Sequence, residues 1–288
     1  MTDLFDFGER VERYAVMGNP INHSKSPMIH TLFAQQTNQS IEYTAIHVDL
    51  GGFEQAVGNF KASGGKGLNI TVPFKEEAWA LANERSERAE RAGAVNTLKF
   101  VDNKIFGDNT DGVGLVNDMT VNHQCEIKGK RILLLGAGGA ARGVLAPLLE
   151  QQPSEVVIGN RTPDRAVGLA EHFSVLAQIN NSGIHGCGFP ALEGQQFDTV
   201  INATAASLKG EVPPLPNDLL NENAVCYDMM YGAKPTAFMD WASNHDAGKV
   251  LDGLGMLVEQ AAESFYLWRS VKPETKPVIQ TIRVELTQ

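Results

Sequence analysis

Residues Arg131 to Gly143 read RILLLGAGGAARG, and this stretch decides the fold. Ile132 to Leu135 is an apolar run with strand character that stops at Gly136. Gly138 and Gly139 follow, and an Ala-rich helix start runs from Ala140 towards Leu149. A strand, a glycine turn and a helix form the combination that receives a pyrophosphate on free N–H groups at a helix N-terminus. Gly136 allows the tight turn, Gly138 lets backbone approach phosphate, and Ala141 keeps the helix close to its strand. The motif is common, so its meaning rests on what surrounds it.

The bulk properties narrow the field. A chain of 288 residues suits one large domain or two modest ones. A net charge of −10 argues against nucleic acid or an anionic membrane as partner, so an anionic ligand must be held by local groups. Cys125, Cys187 and Cys226 are far apart and show no metal-ligand spacing, which suits a reducing compartment and leaves no metal expected. The acidic start MTDLFDFGERVER lacks an apolar signal region, and no run is long enough to span a bilayer. A cytoplasmic protein is expected.

Outward from the glycine turn, strands and helices alternate. On the N-terminal side, Tyr14–Met17, Ile41–Val48 and Leu68–Val72 read as strands, and Phe53–Phe60 as a helix. Ser26 and Pro27 read as N-cap and first residue of another helix. Shorter helices are expected near Glu76–Leu81 and Ser86–Arg91. Asp102-Asn103 reads as a hairpin turn between Ala94–Phe100 and Lys104–Gly107. On the C-terminal side, Glu155–Ile158, Thr199–Ile201, Ala224–Asp228 and Val250–Asp252 would complete a parallel sheet. Helix is expected from Gly255 through Trp268 and again after Pro277. The segment Asn180–Pro190 fits no pattern, and His185 and Cys187 read as loop residues. The expected fold is α/β. An N-terminal substrate and catalytic domain, 1–111, precedes a Rossmann-like doubly wound domain, 112–253, and C-terminal helices, 254–288, pack back on the first domain.

The cofactor follows from the tip of the second strand, Ile158-Gly159-Asn160-Arg161-Thr162. An NAD site usually carries an acidic residue there to bond the ribose 2′-hydroxyl. Here Arg161 takes that place, and Arg165 follows one helical turn later. Two guanidiniums suit a 2′-phosphate, so NADP is expected.

The N-terminal half carries four polar motifs that no common structural role explains, namely GNPINHSKSP (18–27), NITVPFK (69–75), GAVNTL (93–98) and GDNTDG (107–112). Hydroxyls such as Ser24 and Ser26 at a helix start, with free N–H groups, can bind a carboxylate. Together with GAGGAARG, NRT and GLGMLVEQAA, these motifs resemble the shikimate dehydrogenase family, in order from Gly18 to Ala262. The resemblance implies NADP-linked, reversible reduction of 3-dehydroshikimate to shikimate, a step towards the aromatic amino acids. It implies that Ser24 and Ser26 hold the substrate carboxylate, that Thr71, Asn96 and Asp111 bond the ring hydroxyls, and that Tyr231 and Gln260 complete the substrate site. Lys75 would be the acid/base, paired with Asp111. Gly136, Ala137, Gly138, Gly139 and Ala140 would take the pyrophosphate, and Asn160, Arg161, Thr162 and Arg165 the adenosine phosphate. Met229 and Gly253 would lie on the nicotinamide side, with Glu87 a further cofactor residue by position. Partner expectations are shikimate or 3-dehydroshikimate and a homodimer, with neither nucleic acid nor membrane. Ala205 departs from the family pattern, which carries a serine directly after NAT.

The residue chemistry agrees. Hydride arriving at a ketone carbon builds negative charge on its oxygen, and an adjacent ammonium can donate a proton as that charge forms. A free lysine, with a pKa of about 10.4, holds its proton too tightly to cycle well near neutrality. Desolvation would lower that value and Asp111 would oppose the drop, so the pair is expected to act as one unit. The nearest alternative is a quinate/shikimate dehydrogenase with broader substrate or NAD use. A folate-linked methylene dehydrogenase leaves the Ser24/Ser26 pair unexplained, and a non-catalytic NADP sensor needs no lysine–aspartate pair.

Overall fold

Two arrays of strands, each with its own core, make up the computed structural model, which describes residues 11–288. By internal packing the chain divides into a first unit, up to Asn109 together with Ala261–Val278, and a second unit, Thr110–Gln260 with Ile279–Gln288.

The first unit holds β1 (Glu12–Gly18), α1 (Ser26–Thr37), β2 (Ile41–His47), α2 (Phe53–Ala62), β3 (Gly65–Ile70), α3 (Lys75–Leu81), β4 (Glu84–Arg85), α4 (Glu87–Ala92), β5 (Thr97–Val101) and β6 (Lys104–Asp108). Its sheet runs β2-β1-β3-β5-β6-β4. β1 is parallel to β2 and β3, whereas β5 is antiparallel to β3 and β6. Both faces of β1 are buried, and its side chains alternate between them with the period of a pleated strand. Ala15 and Met17 join Phe53, Leu68, Phe74 and Leu98 on one face. Tyr14 and Val16 join Ile21, Tyr43 and Trp268 on the other, where the Tyr14 and Trp268 rings stack at 4.6 Å. The β5–β6 turn follows the sequence expectation: Asp102 and Asn103 both take positive φ, 46° and 66°, as a two-residue hairpin turn requires.

One cap differs from expectation. The N-cap of α1 is Lys25, without a side-chain cap bond, and Ser26 is the first helical residue. The cause is local: Ser24 Oγ accepts from the Ser26 N–H at 3.3 Å, so the upstream serine takes the capping contact.

The second unit begins with α5 (Asp111–Asn117) and a π-helical turn, Asp118–Asn122. β7 (Arg131–Leu135), α6 (Gly139–Glu150), β8 (Glu155–Asn160), α7 (Pro163–Ile179), β9 (Gly183–Gly188), β10 (Phe197–Asn202), β11 (Leu220–Asp228), α8 (Ala237–Asn244) and β12 (Lys249–Asp252) follow. All pairs are parallel, in the order β12-β11-β10-β7-β8-β9. This is the doubly wound order with its switch point between β7 and β10. On β7, Ile132 and Leu134 face the core beneath α6, while Leu133 and Leu135 face Phe197, Val200 and Phe238 on the other side. His185 and Cys187 lie in β9 rather than in a loop. Packing requires the central glycine of this strand: a Cβ on Gly186 would stand 2.1 Å from Ala166 C in α7.

The chain ends in α9 (Leu254–Arg269) and α10 (Lys276–Thr287). Residues 254–260 of α9 count with the second unit and 261–269 with the first.

Candidate active site

In the first unit the register places the polar motifs at one end of the sheet. The chain leaves β1 into the 19–25 segment and leaves β3 into Thr71–Phe74, both at the C-terminal ends of parallel strands. β5 runs antiparallel to β3, so Asn96, just before it, belongs to the same end. Ser24, Ser26, Thr71, Lys75 and Asn96 are thereby gathered there. Local bonds fix the loops. The Thr71 N–H donates to Met17 O at 3.0 Å, and the Val95 N–H donates to Lys75 O at 2.9 Å, tying the start of α3 to the segment before Asn96. Gly18 is needed beside Thr71, since a Cβ there would lie 2.4 Å from its methyl carbon. Glu87 starts α4 on the surface and pairs with Arg91.

Beneath this end lies a buried polar network that motif reading did not assign. Asn69 Oδ1 accepts from the Tyr43 hydroxyl at 2.7 Å and stands 3.1 Å from His30 Nε2. Burial pushes the Tyr43 phenol well above its ordinary range and pulls His30 down to about 3, against the opposing bond to Asn69, so both rings are neutral. The sequence signal was an asparagine inside an apolar strand, where a side-chain amide must find buried partners. Asp108, at the end of β6, is 3 % exposed. Burial alone would raise its carboxyl, but the bidentate Arg88 guanidinium (2.7 and 2.6 Å), Ser86 and the Asn109 N–H hold it below the usual range.

In the second unit Gly136 has φ +106°, a conformation that demands glycine, and its N–H donates to Gly159 O at 2.8 Å. Gly138 and Gly139 are different. Gly138 is the extended N-cap of α6 and Gly139 its first residue, and a Cβ on either would meet no protein atom within 4 Å. Internal packing therefore does not call for glycine at these two positions, whereas close approach of a phosphate to backbone N–H groups does. Ala137 and Ala140 complete the turn. Asn160 ends β8 and donates to Thr162 O at 2.9 Å, and Arg161 and Arg165 are exposed around the start of α7. Thr162 is the N-cap of α7 but makes no side-chain cap bond.

The ends of β10 and β11 carry a second buried cluster. Asn202 Nδ2 donates to Asp228 Oδ1 at 3.0 Å and to Ser207 Oγ at 3.1 Å, and the Met230 N–H donates to Asp228 Oδ1 at 3.0 Å. Burial raises the Asp228 carboxyl, and hydrogen bonds from Thr236, Met230, Ser207 and Asn202 oppose it. The cluster holds the strand end that bears Met229 and Tyr231. Ala205 lacks a hydroxyl, and two neighbouring hydroxyls meet Asn202: Thr204 Oγ1 donates to its Oδ1 at 2.7 Å and Ser207 Oγ accepts from its Nδ2. Gly253 lies against this loop: its Cβ would stand 2.2 Å from Met229 O. Burial raises the Tyr231 phenol, and Asp252 adds to the shift. Asp111 opens α5 and is 7 % exposed. Gln260 is carried by α9, which crosses α5 at Gly114, where a Cβ would lie 2.8 Å from Gln260 Cβ.

Comparison with known proteins matches three segments of the chain. Residues 16–98 match the shikimate dehydrogenase substrate binding domain, residues 119–209 the shikimate / quinate 5-dehydrogenase family, and residues 253–283 the shikimate 5'-dehydrogenase C-terminal domain. A shikimate dehydrogenase (NADP(+)) from Alkalilimnicola ehrlichii is 59 % identical over 95 % of this chain and 99 % of its own. Among solved structures, an Ael1 enzyme from Pseudomonas putida superposes with a TM-score of 0.88 at 48 % identity, covering 96 % of this chain and 98 % of the other. Shikimate 5-dehydrogenase from Thermus thermophilus, solved with NADP(H) and shikimate, gives 0.83 at 32 % identity, covering 96 % and 100 %.

Proposed function

The chain belongs to the shikimate dehydrogenase family, and from that membership we propose that it reduces 3-dehydroshikimate reversibly to shikimate with NADPH. The observation that carries the proposal is the gathering of Ser24, Ser26, Thr71, Lys75 and Asn96 at one end of the first sheet, in a chain whose second unit has the doubly wound order. NADP is the cofactor. When bound, it supplies the hydride to the ring ketone or takes it from the alcohol. Gly136–Ala140 bind its pyrophosphate, Asn160, Arg161, Thr162 and Arg165 its adenosine phosphate, and Met229 and Gly253 border its nicotinamide. Glu87 is proposed as a further cofactor contact.

The chain's own residues bind and orient the substrate and move the proton. The Ser24 and Ser26 hydroxyls donate to the substrate carboxylate, helped by the positive end of α1. Thr71, Asn96 and Asp111 bond the ring hydroxyls, and Tyr231 and Gln260 complete the recognition. Lys75 donates a proton to the carbonyl oxygen as negative charge forms there and recovers it in the reverse direction, with Asp111 stabilising its charged form. The same reading includes a cytoplasmic homodimer, supported by the family resemblance. Among the described residues no helix is long and apolar enough to cross a membrane.

The test is an absorbance assay of reduced-cofactor formation, NADPH or NADH, with shikimate and quinate, each against NADP⁺ and NAD⁺. Activity with shikimate and NADP⁺ is expected, and its absence would refute the proposal. Comparable rates with quinate and NAD⁺ would broaden the substrate and cofactor assignment. Lys75→Ala should cut kcat by about 10²–10⁴-fold with a small change in KM, as loss of positioned proton transfer does. A variant with near-normal kcat would remove Lys75 from the acid/base role.

A further inference from the structure

The buried network of the first unit reaches the Asn96 side chain. Asn69 Nδ2 lies 3.3 Å from the main-chain carbonyl of Asn96. A carbonyl only accepts, so the amide nitrogen must face it and Oδ1 must face His30, whose proton therefore sits on Nε2. Beyond Asn69 the bonds continue through two hydroxyls. Asn69 Nδ2 donates to Ser264 Oγ at 3.0 Å, Ser264 Oγ is 2.7 Å from Thr97 Oγ1, and Thr97 Oγ1 donates to Asn96 Oδ1 at 2.9 Å. The 2.7 Å contact couples Ser264 to the Thr97 hydroxyl, and either oxygen can donate in it. These contacts, with a direct bond from Asn69 Nδ2 to Thr97 Oγ1 at 3.2 Å, join His30 and Tyr43 through Asn69, Ser264 and Thr97 to the Asn96 side chain. Asn69, Asn96, Thr97 and Ser264 are between 0 % and 5 % exposed, so bulk water does not compete for these protons.

We propose that this chain of hydroxyls sets which edge Asn96 turns to the substrate: Thr97 holds its oxygen, so its NH2 edge meets a ring oxygen as a donor, and Thr97 and Ser264 are positioning residues for recognition of the substrate ring. The inference rests on the reading that Asn96 binds the ring. A donor edge serves a hydroxyl and a ketone oxygen alike. An acceptor edge would lose its bond wherever the oxygen it meets is a ketone. Neither Thr97 nor Ser264 touches substrate in this account, and they act through Asn96.

The experiment is steady-state kinetics on the full chain with NADP⁺, using shikimate and a set of shikimate analogues each lacking one ring hydroxyl. Thr97→Val, which keeps shape and removes the proton, should raise KM for shikimate about tenfold, the usual cost of one misaligned ligand bond, with a smaller effect on kcat. Ser264→Ala should act in the same sense, and Thr97→Ser should restore the wild-type KM. In the wild type, one analogue should bind about tenfold more weakly than shikimate because it lacks the oxygen that Asn96 meets. In Thr97→Val that penalty should vanish while the penalties for the other analogues persist. Equal weakening of all analogues, or a parallel rise in KM for NADP⁺, would mean a merely structural role and would overturn the proposal. So would an unchanged KM in both Thr97→Val and Ser264→Ala. Asn96→Ala separates the two levels: no effect refutes substrate contact by Asn96, whereas a large effect beside silent Thr97 and Ser264 variants refutes the positioning alone. Circular dichroism identifies a variant that fails to fold, and if Thr97→Val does, Ser264→Ala decides.

Discussion

His30 shows how one side chain can link the site to stability. It is fully buried, stacks on Tyr43 at 4.2 Å and 7°, and has no partner for Nδ1. Burial holds its pKa at about 3, against an ordinary 6.5. Between those values the unfolded chain binds a proton that the folded chain refuses, so stability rises with pH across the window and falls on acidification. At pH 5 the loss from this group amounts to about 2 kcal/mol relative to neutral pH. Urea unfolding at pH 7 and pH 5 should therefore show the wild type losing about 2 kcal/mol more than His30→Gln, which cannot titrate. Equal losses would mean that His30 does not refuse the proton. A second expectation concerns Arg161: its replacement by alanine should raise KM for NADP⁺ roughly tenfold to hundredfold, the range for a lost charge-assisted bond, and leave NAD⁺ nearly unaffected. Equal effects on both cofactors would mean that the arginine does not meet the 2′-phosphate. At this scale a motif names candidates, as with Ser24 and Lys75, and the fold gathers both at the same end of the first sheet. Tyr43 and Ser264 were not readable, because their partners lie 26 and 195 residues from them along the chain. The exchange of capping roles between Ser24 and Ser26 was also hidden, since either hydroxyl suits a helix start.

Among the elements, strands with β-branched or apolar runs were legible and those built on glycine were not. β7 and β8 announce themselves through Ile132–Leu135 and Val156–Ile158, buried on both faces as parallel strands are. β9, GIHGCG, has the composition of a loop because α7 leaves no room for side chains at Gly186. β3 illustrates the same constraint in the first unit. A Cβ on Gly67 would stand 2.4 Å from Trp268 Nε1 and 2.7 Å from Leu98 O. The indole N–H donates to that same carbonyl at 2.9 Å, so the ring cannot retreat without breaking the bond. Gly67→Ala should cost about 1–3 kcal/mol, the usual penalty of overpacking, measurable by chemical denaturation. A change below a few tenths of a kcal/mol would show that α9 can shift to accommodate a methyl group.

For the molecule as a whole, the alternation of strands and helices made the α/β class and the doubly wound sheet visible in advance, because each parallel strand needs a crossover helix. The register of the mixed sheet was not visible, since β5 alone runs against the other strands and enters after two short helices. Packing ties distant parts of the sequence into one core. Trp268 is 8 % exposed and packs with Tyr14, Val16 and Tyr43. Trp268→Ala should cost about 3–5 kcal/mol, and hydrogen exchange should show the loss of protection concentrated in residues 11–109 rather than 110–253. A uniform loss would contradict separate cores. The closure of this core by α9 also has a consequence for synthesis. Leu98 O and its partner Trp268 Nε1 are separated by 170 residues. At ribosomal rates that is a wait of roughly 10–30 s, during which the strands of the first unit have emerged and their covering helix has not. The second unit, apart from its last residues, is translated inside that interval. The half of the protein begun first therefore waits for a helix made after nearly all of the other half, and it is the half a chaperone would have reason to hold.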